Sequence, residues 1–380
     1  MHAPEHALAY CEDQTFWDFE DARGKVVDRK VIVSCDRNRK NWNTVMGPLR
    51  NPNPRGALWL VDFDKKKAGI PRKILFEGYP NSKDFHPLGV EIWPSVSGND
   101  SNMFVVNHAR DKSTIEQFVL NPSHPTTAKY IRTISSKYLL SPNSLALTSP
   151  TSFFVSNDHL MTRRLPSIFG KTLPVIESFL ALPLGFIVHV TIVHDAVPGA
   201  AIIRHTLPQL GIPFANGISL SPDKKTLAVA SSSLGAVQFY NRTISNQTSR
   251  ESLQFLHSVP LPFAPDNVAY DSNGSLMVAG HPAFFSLTKV AADHAGAISP
   301  SWVVSLDSRQ DATLSTTKYD MDAPYPSSKR AGVVKGYDVE TVYQGNGTKF
   351  GSSTTGLRDA RTGTVFVTGL YEDGLLVCRP

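Results

Sequence analysis

The chain has 380 residues, 41% of them apolar and 19% charged, and a formal charge of +5. Its basic residues are dispersed, without the basic stripe and aromatic platforms that nucleic-acid binding needs. The longest apolar stretch, Phe179 to Val193, is broken by Pro183, Gly185 and His189 and is too short to span a bilayer.

The N-terminus, MHAPEHALAY, lacks the apolar core of a signal peptide. A secretory signal is expected to have been removed ahead of it. Strand-like runs follow at Lys30–Ser34, Ala57–Phe63, Lys73–Phe76, Gly89–Trp93, Met103–Asn107, Thr114–Leu120 and Tyr130–Ile134. Lys65-Lys66-Lys67, beside Asp62 and Asp64, reads as a solvated turn.

A segment then recurs three times: NSLALTSPTSFFVSN from Asn143, NGISLSPDKKTLAVAS from Asn216 and DNVAYDSNGSLMVAG from Asp266. Each copy is two apolar runs around a tight turn, the pattern of a β-hairpin, and each opens with a carboxamide: Asn143, Asn216 or Asn267. Further runs lie at Ala236–Tyr240, Leu253–Val259, Trp302–Leu306, Val339–Tyr343, Thr364–Thr368 and Leu375–Cys378. Hairpins repeated at intervals of tens of residues indicate a propeller. The expected fold is all-β, a six-bladed β-propeller of about four antiparallel strands per blade. It is read as one domain over 1–380, because no linker divides the chain.

No stretch carries sustained helical periodicity. Two segments break the strand rhythm. Leu160–Val193 (160–193) is apolar and rich in Pro and Gly, and reads as an insertion walling or capping a site. Asp307–Asp338 (307–338) is polar and reads as a surface loop.

Equivalent carboxamides around one axis converge their oxygens, which is how a hard cation such as calcium is held. Asn143, Asn216, Asp266 and Asn267 are the repeat's donors, and Glu12-Asp13 offers a carboxylate from another blade. The bland reading, that each Asn merely caps a turn, is weaker for three equivalent positions than for one. Zinc is not indicated, since no His and Cys pair has the spacing. Of the cysteines Cys11, Cys35 and Cys378, the first and last lie near opposite chain ends. A closed propeller brings its ends together, so a Cys11–Cys378 bridge is expected, with Cys35 able to compete for either partner. Sequons at Asn99, Asn241, Asn246, Asn273 and Asn346, with a disulfide, point to a secreted glycoprotein.

The runs VVNHARDKSTIEQF from Val105, SNDH from Ser156, FANGISLSPD from Phe214, PDNVAYD from Pro265, GHP from Gly280 and NGTKFGSST from Asn346 resemble the serum paraoxonase/arylesterase family. The resemblance runs from about Glu12 to Cys378. It implies calcium in a central tunnel, held by Glu12, Asn143, Asn216, Asp266 and Asn267, where the ion polarises an ester or lactone carbonyl. It implies that His108 handles the hydrolytic water, that Asp158 orients it, and that His159 and His281 line the tunnel. Phe179 to Val193, with Phe179, Leu182 and Phe186, would wall an apolar substrate pocket and offer a lipid-surface contact.

Two departures stand out. The family's second histidine belongs in Phe-x-Pro-His-Gly, whereas this chain reads Phe85-His86-Pro87-Leu88-Gly89. Leu88 cannot accept a proton. His86 lies on the same face of an extended strand but is not taken as its substitute. A second, structural calcium would use Asp13, Val90 and a residue that here is Ser144. The first functional expectation is therefore calcium-dependent hydrolysis of a lactone or aryl ester, with an apolar small molecule as substrate. The alternative is a non-hydrolytic fungal natural-product cyclase of the hetero-Diels–Alder type, which would suit a drier pocket at Leu88. A calcium-stabilised binding protein is the third.

Overall fold

Short alternating runs separated by turn residues fold, in the computed structural model, into six small sheets set around one axis. The structure describes residues 7–62, 69–194, 201–245, 247–309, 317–318 and 336–380. Blade one holds β1 (Cys11–Glu20), β2 (Val26–Cys35), β3 (Ala57–Asp62) and β4 (Arg72–Lys73). Blade two takes in β5 (Leu75–Glu77), β6 (Pro87–Ile92), β8 (Ser101–Asn107), β9 (Thr114–Leu120) and β10 (Thr127–Ile134), while the short β7 (Ser95–Val96) pairs back onto β1. Blade three is β11 (Pro142–Ser149), β12 (Ser152–Asn157), β13 (Gly185–His194) and β14 (Ala201–Ile212). Blade four is β15 (Ala215–Leu220), β16 (Thr226–Ser231), β17 (Ala236–Ile244) and β18 (Glu251–Pro260). Blade five holds β19 (Ala264–Tyr270), β20 (Leu276–His281), β21 (Ser301–Ser308), β22 (Thr317–Lys318) and β23 (Tyr337–Gly345). Blade six holds β24 (Ser353–Asp359), β25 (Thr364–Gly369) and β26 (Leu376–Cys378). The three repeated sequence segments are the inner hairpins β11–β12, β15–β16 and β19–β20.

The innermost strand of each blade (β1, β6, β11, β15, β19 and β24) packs against the innermost strand of the next, and β24 returns to β1, so the ring closes. The apolar core lies between blades. Trp17 and Leu58 of blade one meet Val90 and Phe118 of blade two. Phe104 and Ile115 meet Phe153 and Val190 at the next interface, and Phe366 meets Val31 and Val33 where blade six closes on blade one. Each such fully buried side chain contributes about 2 kcal/mol, so the interfaces hold the ring rigid around its tunnel.

Three expectations change. The segment 160–193 is not one insertion. Its first half forms helix α1 (Ser167–Phe179), and Gly185 onward is the regular strand β13. A second helix, α2 (Phe284–Ala291), leads from β20 toward β21. Gly170 and Pro174 mask the helical pattern of α1 in the sequence.

The disulfide joins Cys11 to Cys35, not Cys378. The chain ends do meet, through Ala9 opposite Asp373 and Gly374 N–H on the Leu8 carbonyl. Cys11, however, already faces Cys35 in the β1–β2 register, with Cα atoms 3.9 Å apart. Cys378 pairs with Val365 on the outer strand of blade six and is free.

The loop 307–338 and Asn246 fall largely outside the described residues. Asn99 and Asn273 are exposed, whereas Asn241 and Asn346 are half-buried. No helix among the described residues is long and apolar enough to cross a membrane.

Candidate functional site

Every blade carries the same irregularity in its first hairpin. One extra residue is inserted on the inner strand, between Cys11 and Asp13, Pro87 and Val90, Pro142 and Leu145, Ala215 and Ile218, Pro265 and Val268, and Ser353 and Gly356. Such β-bulges re-aim a side chain. The bulged residues are Glu12, Leu88-Gly89, Asn143-Ser144, Asn216-Gly217, Asp266-Asn267 and Thr354-Thr355. All five expected metal ligands therefore occupy equivalent bulges, and blade two presents Leu88 at that place. The bulges approach closely because glycine occurs where they touch: a Cβ on Gly217 would lie 2.4 Å from the Asn267 Cα, and one on Gly89 would lie 2.5 Å from the Asn143 carbonyl.

Each carboxamide is anchored by its nitrogen. Asn143 Nδ2 donates to Asp158 Oδ2 (3.3 Å), Asn216 Nδ2 to Asp266 Oδ1 (2.7 Å) and Asn267 Nδ2 to Glu12 Oε1 (2.9 Å). The partner oxygens are left over: Asn143 Oδ1, Asn216 Oδ1, Asn267 Oδ1 and Glu12 Oε2 are buried without any hydrogen bond. Burial, reinforced by the neighbouring carboxylates Asp13 and Asp266, pushes the Glu12 carboxyl well above its ordinary range. Four orphaned oxygens beside repelling carboxylates fit a hard cation. Among the described residues, no group of three or more His, Cys, Asp or Glu has metal-binding geometry; the donors are mainly carboxamides.

The second-ion residues are already engaged. Asp13 Oδ2 accepts from Val90 N–H (3.0 Å), Asp13 Oδ1 from Thr355 Oγ1 (3.0 Å) and Ser144 Oγ from Ile218 N–H (3.2 Å). Burial moves Asp13 to about 6.

Above the bulges lies a cavity of about 530 Å³, lined by Glu12, Asn143, Asn216 and Asp266 at its floor. Its walls include Leu88, His86, His108, Asp158 and His281, and its mouth is apolar, with Phe179 of α1 beside Phe284 and Phe285 of α2. The Phe179 ring stacks on Phe285 and meets Phe284 edge-on, each at 5.7 Å.

The histidines differ sharply. His108 has both ring nitrogens engaged: Nε2 donates to the Pro142 carbonyl (2.7 Å), which leaves Nδ1 to accept from Thr44 Oγ1 (2.7 Å). Burial lowers its pKa to about 4. Asp158 does not orient it; Asp158 Oδ1 instead lies 3.2 Å from His159 Nδ1. His159 does not line the cavity. It sits behind Asp158, with Nε2 2.7 Å from Ser178 Oγ on α1. His281 does line it, with Nε2 2.9 Å from Asp266 Oδ2 and Nδ1 unpartnered.

Leu182 and Phe186 are not among the residues lining this cavity. Phe186 lies on β13, opposite Asn157, in the core between blades two and three. Sequence reasoning missed Asp36, Arg39, Trp42, Met46 and Tyr371, all of which line the cavity. The available signal was the long connection from Cys35 to Ala57, out of proportion to the tight hairpins elsewhere.

The arylesterase family model matches residues 48–353. The chain belongs to the arylesterase family. Curated arylesterase-family relatives agree: serum paraoxonase/arylesterase 2 of Gallus gallus is 25% identical over 233 residues, 61% of this chain and 58% of that protein. Serum paraoxonase/arylesterase 1 of Homo sapiens is 27% identical over 61% of this chain and 59% of its own length. Serum paraoxonase/lactonase 3 of Oryctolagus cuniculus is 25% identical over 61% and 58%. The match thus spans under two thirds of these relatives. Leu88 is the apolar side chain at the blade-two bulge, whereas each of the other five bulges carries a polar side chain.

Proposed function

We propose that the chain hydrolyses apolar lactones or esters with a calcium ion held by Glu12, Asn143, Asn216, Asp266 and Asn267. The observation that carries this reading is the set of four buried, unpartnered oxygens on equivalent bulges, three of them on residues that line the cavity floor. Bound there, the ion would supply Lewis-acid polarisation of a carbonyl and charge for the oxyanion. Membership of the arylesterase family supports hydrolysis as the class of reaction.

The chain's own residues do the rest. Phe179, Phe284 and Phe285 accept the apolar part of the substrate and exclude water from the mouth. The Asp266 carboxylate is held by Asn216 and His281, which fixes its direction. His108 serves to brace the wall, because neither of its nitrogens is free. The deciding experiment is turnover of phenyl acetate and a δ-lactone series with and without added calcium. Calcium-dependent turnover is expected, and none under either condition would reject the reading.

Leu88 at the blade-two bulge favours a second reading, cyclisation of apolar partners without a general base. Mass spectrometry separates the two: hydrolysis incorporates solvent oxygen, whereas a cycloaddition product of a polyene and a quinone methide contains none. The Cys11–Cys35 disulfide favours an oxidising, secretory compartment for either activity. Exposed Ile168, Phe169 and Leu180 around α1 favour contact with a lipid surface.

A further inference from the structure

We propose that His86, oriented by Asp36, is the general base of this site, in place of the histidine that Leu88 displaces. This rests on the hydrolytic reading. Asp36 Oδ2 lies 2.7 Å from His86 Nδ1, and both residues are almost fully buried on the cavity wall. A carboxylate on Nδ1 sets the tautomer with a proton there, leaving Nε2 as the basic nitrogen. That Nε2 is buried and has no protein partner. His108, in the same cavity, has none to spare.

The pair is held from three sides. The Cys11–Cys35 disulfide ends β2 at the residue before Asp36, and Asp36 N–H donates to the Tyr10 carbonyl (3.1 Å). The second Asp36 oxygen accepts from Asn38 N–H (2.9 Å). The His86 ring packs against Trp42, with centroids 5.6 Å apart, and its backbone N–H donates to Asn107 Oδ1 (2.8 Å). A base whose partner is itself fixed is the arrangement that nucleophile activation requires.

The step balances. Water gives a proton to His86 Nε2 as its oxygen forms a bond to the ester carbon, and the carbonyl electron pair moves onto its oxygen. The carbon–alkoxy bond then breaks, and the imidazolium returns the proton to the leaving alkoxide. The products are an acid and an alcohol, or one hydroxy acid from a lactone. Asp36 is a positioning residue that stabilises the imidazolium.

The test uses the full chain with calcium, phenyl acetate and a δ-lactone. His86→Gln is expected to lower kcat by about 100-fold or more while leaving KM within a fewfold. Asp36→Asn, which keeps the shape, is expected to lower kcat with KM unchanged. Calcium affinity by calorimetry should be unchanged in both. Retained kcat in a folded His86→Gln or Asp36→Asn variant overturns the pair alone. Absence of any turnover by the wild type overturns the hydrolytic reading and the pair's role together.

Discussion

Asn216 Nδ2 donates to Asp266 Oδ1 at 2.7 Å, joining the bulge of blade four to that of blade five. That bond turns Asn216 Oδ1 away from any protein donor. Asn216→Ala is therefore expected to weaken calcium binding roughly tenfold or more, because it removes one oxygen ligand and frees Asp266. Isothermal titration calorimetry reads this directly, and unchanged affinity would remove Asn216 from the ligand set.

Calcium at 100 times its dissociation constant should stabilise the fold by about 2.7 kcal/mol. Thermal melts with calcium against melts with chelator measure it. Equal midpoints would mean that no cation relieves the Glu12–Asp266 repulsion.

Burial holds His108 and His189 at about 4, against 6.5 when unfolded. As pH falls from 6.5 toward 4, the unfolded chain takes up protons that the folded chain refuses. Stability present above 6.5 is lost across that window, about 2 kcal/mol per histidine by pH 5. Glu251 lies 3.8 Å from His189 but already accepts from Arg242 at 2.6 Å, so it offers little rescue. His189→Gln should narrow the difference in melting midpoint between pH 7 and pH 5; an unaltered difference would show that His189 titrates normally in the fold.

The Cys11–Cys35 disulfide closes a loop of sequence separation 24. Cys35→Ser is expected to cost about 3 kcal/mol and to lower turnover as well, since Asp36 loses its anchor. Cys378→Ser should do neither. Peptide mapping without reductant should find Cys11 linked to Cys35 and Cys378 alkylated.

Phe179 is half-exposed at the mouth and stacked on Phe285. Phe179→Ala should raise KM for an apolar ester up to about tenfold, the loss of one aromatic contact, with kcat little changed. Steady-state kinetics with a short and a long acyl chain would show it, and the long chain should suffer more.

The inner hairpins were legible because alternation and turn residues are local signals, and Asn143, Asn216 and Asp266-Asn267 were legible because the repeat set them in equivalent places. Helix α1 was not, since Gly170 and Pro174 interrupt its periodicity. Phe186 was misplaced for a related reason: an apolar run reads alike whether it walls a pocket or fills a core.

The amino-acid sequence by itself determined a propeller and the recurring carboxamides of its inner hairpins, because both follow from short-range pattern repeated along the chain. Only the tertiary structure decided which cysteine Cys11 meets, that His86 and His281 but not His108 keep a free nitrogen on the cavity wall, and that Asp36 stands behind His86. Those outcomes depend on strand register and on contacts between residues far apart in sequence. A one-residue bulge, invisible in composition, turns Glu12 and Leu88 toward the axis, and the β1–β2 pairing ends at Cys35, which sets the next residue, Asp36, on the cavity wall.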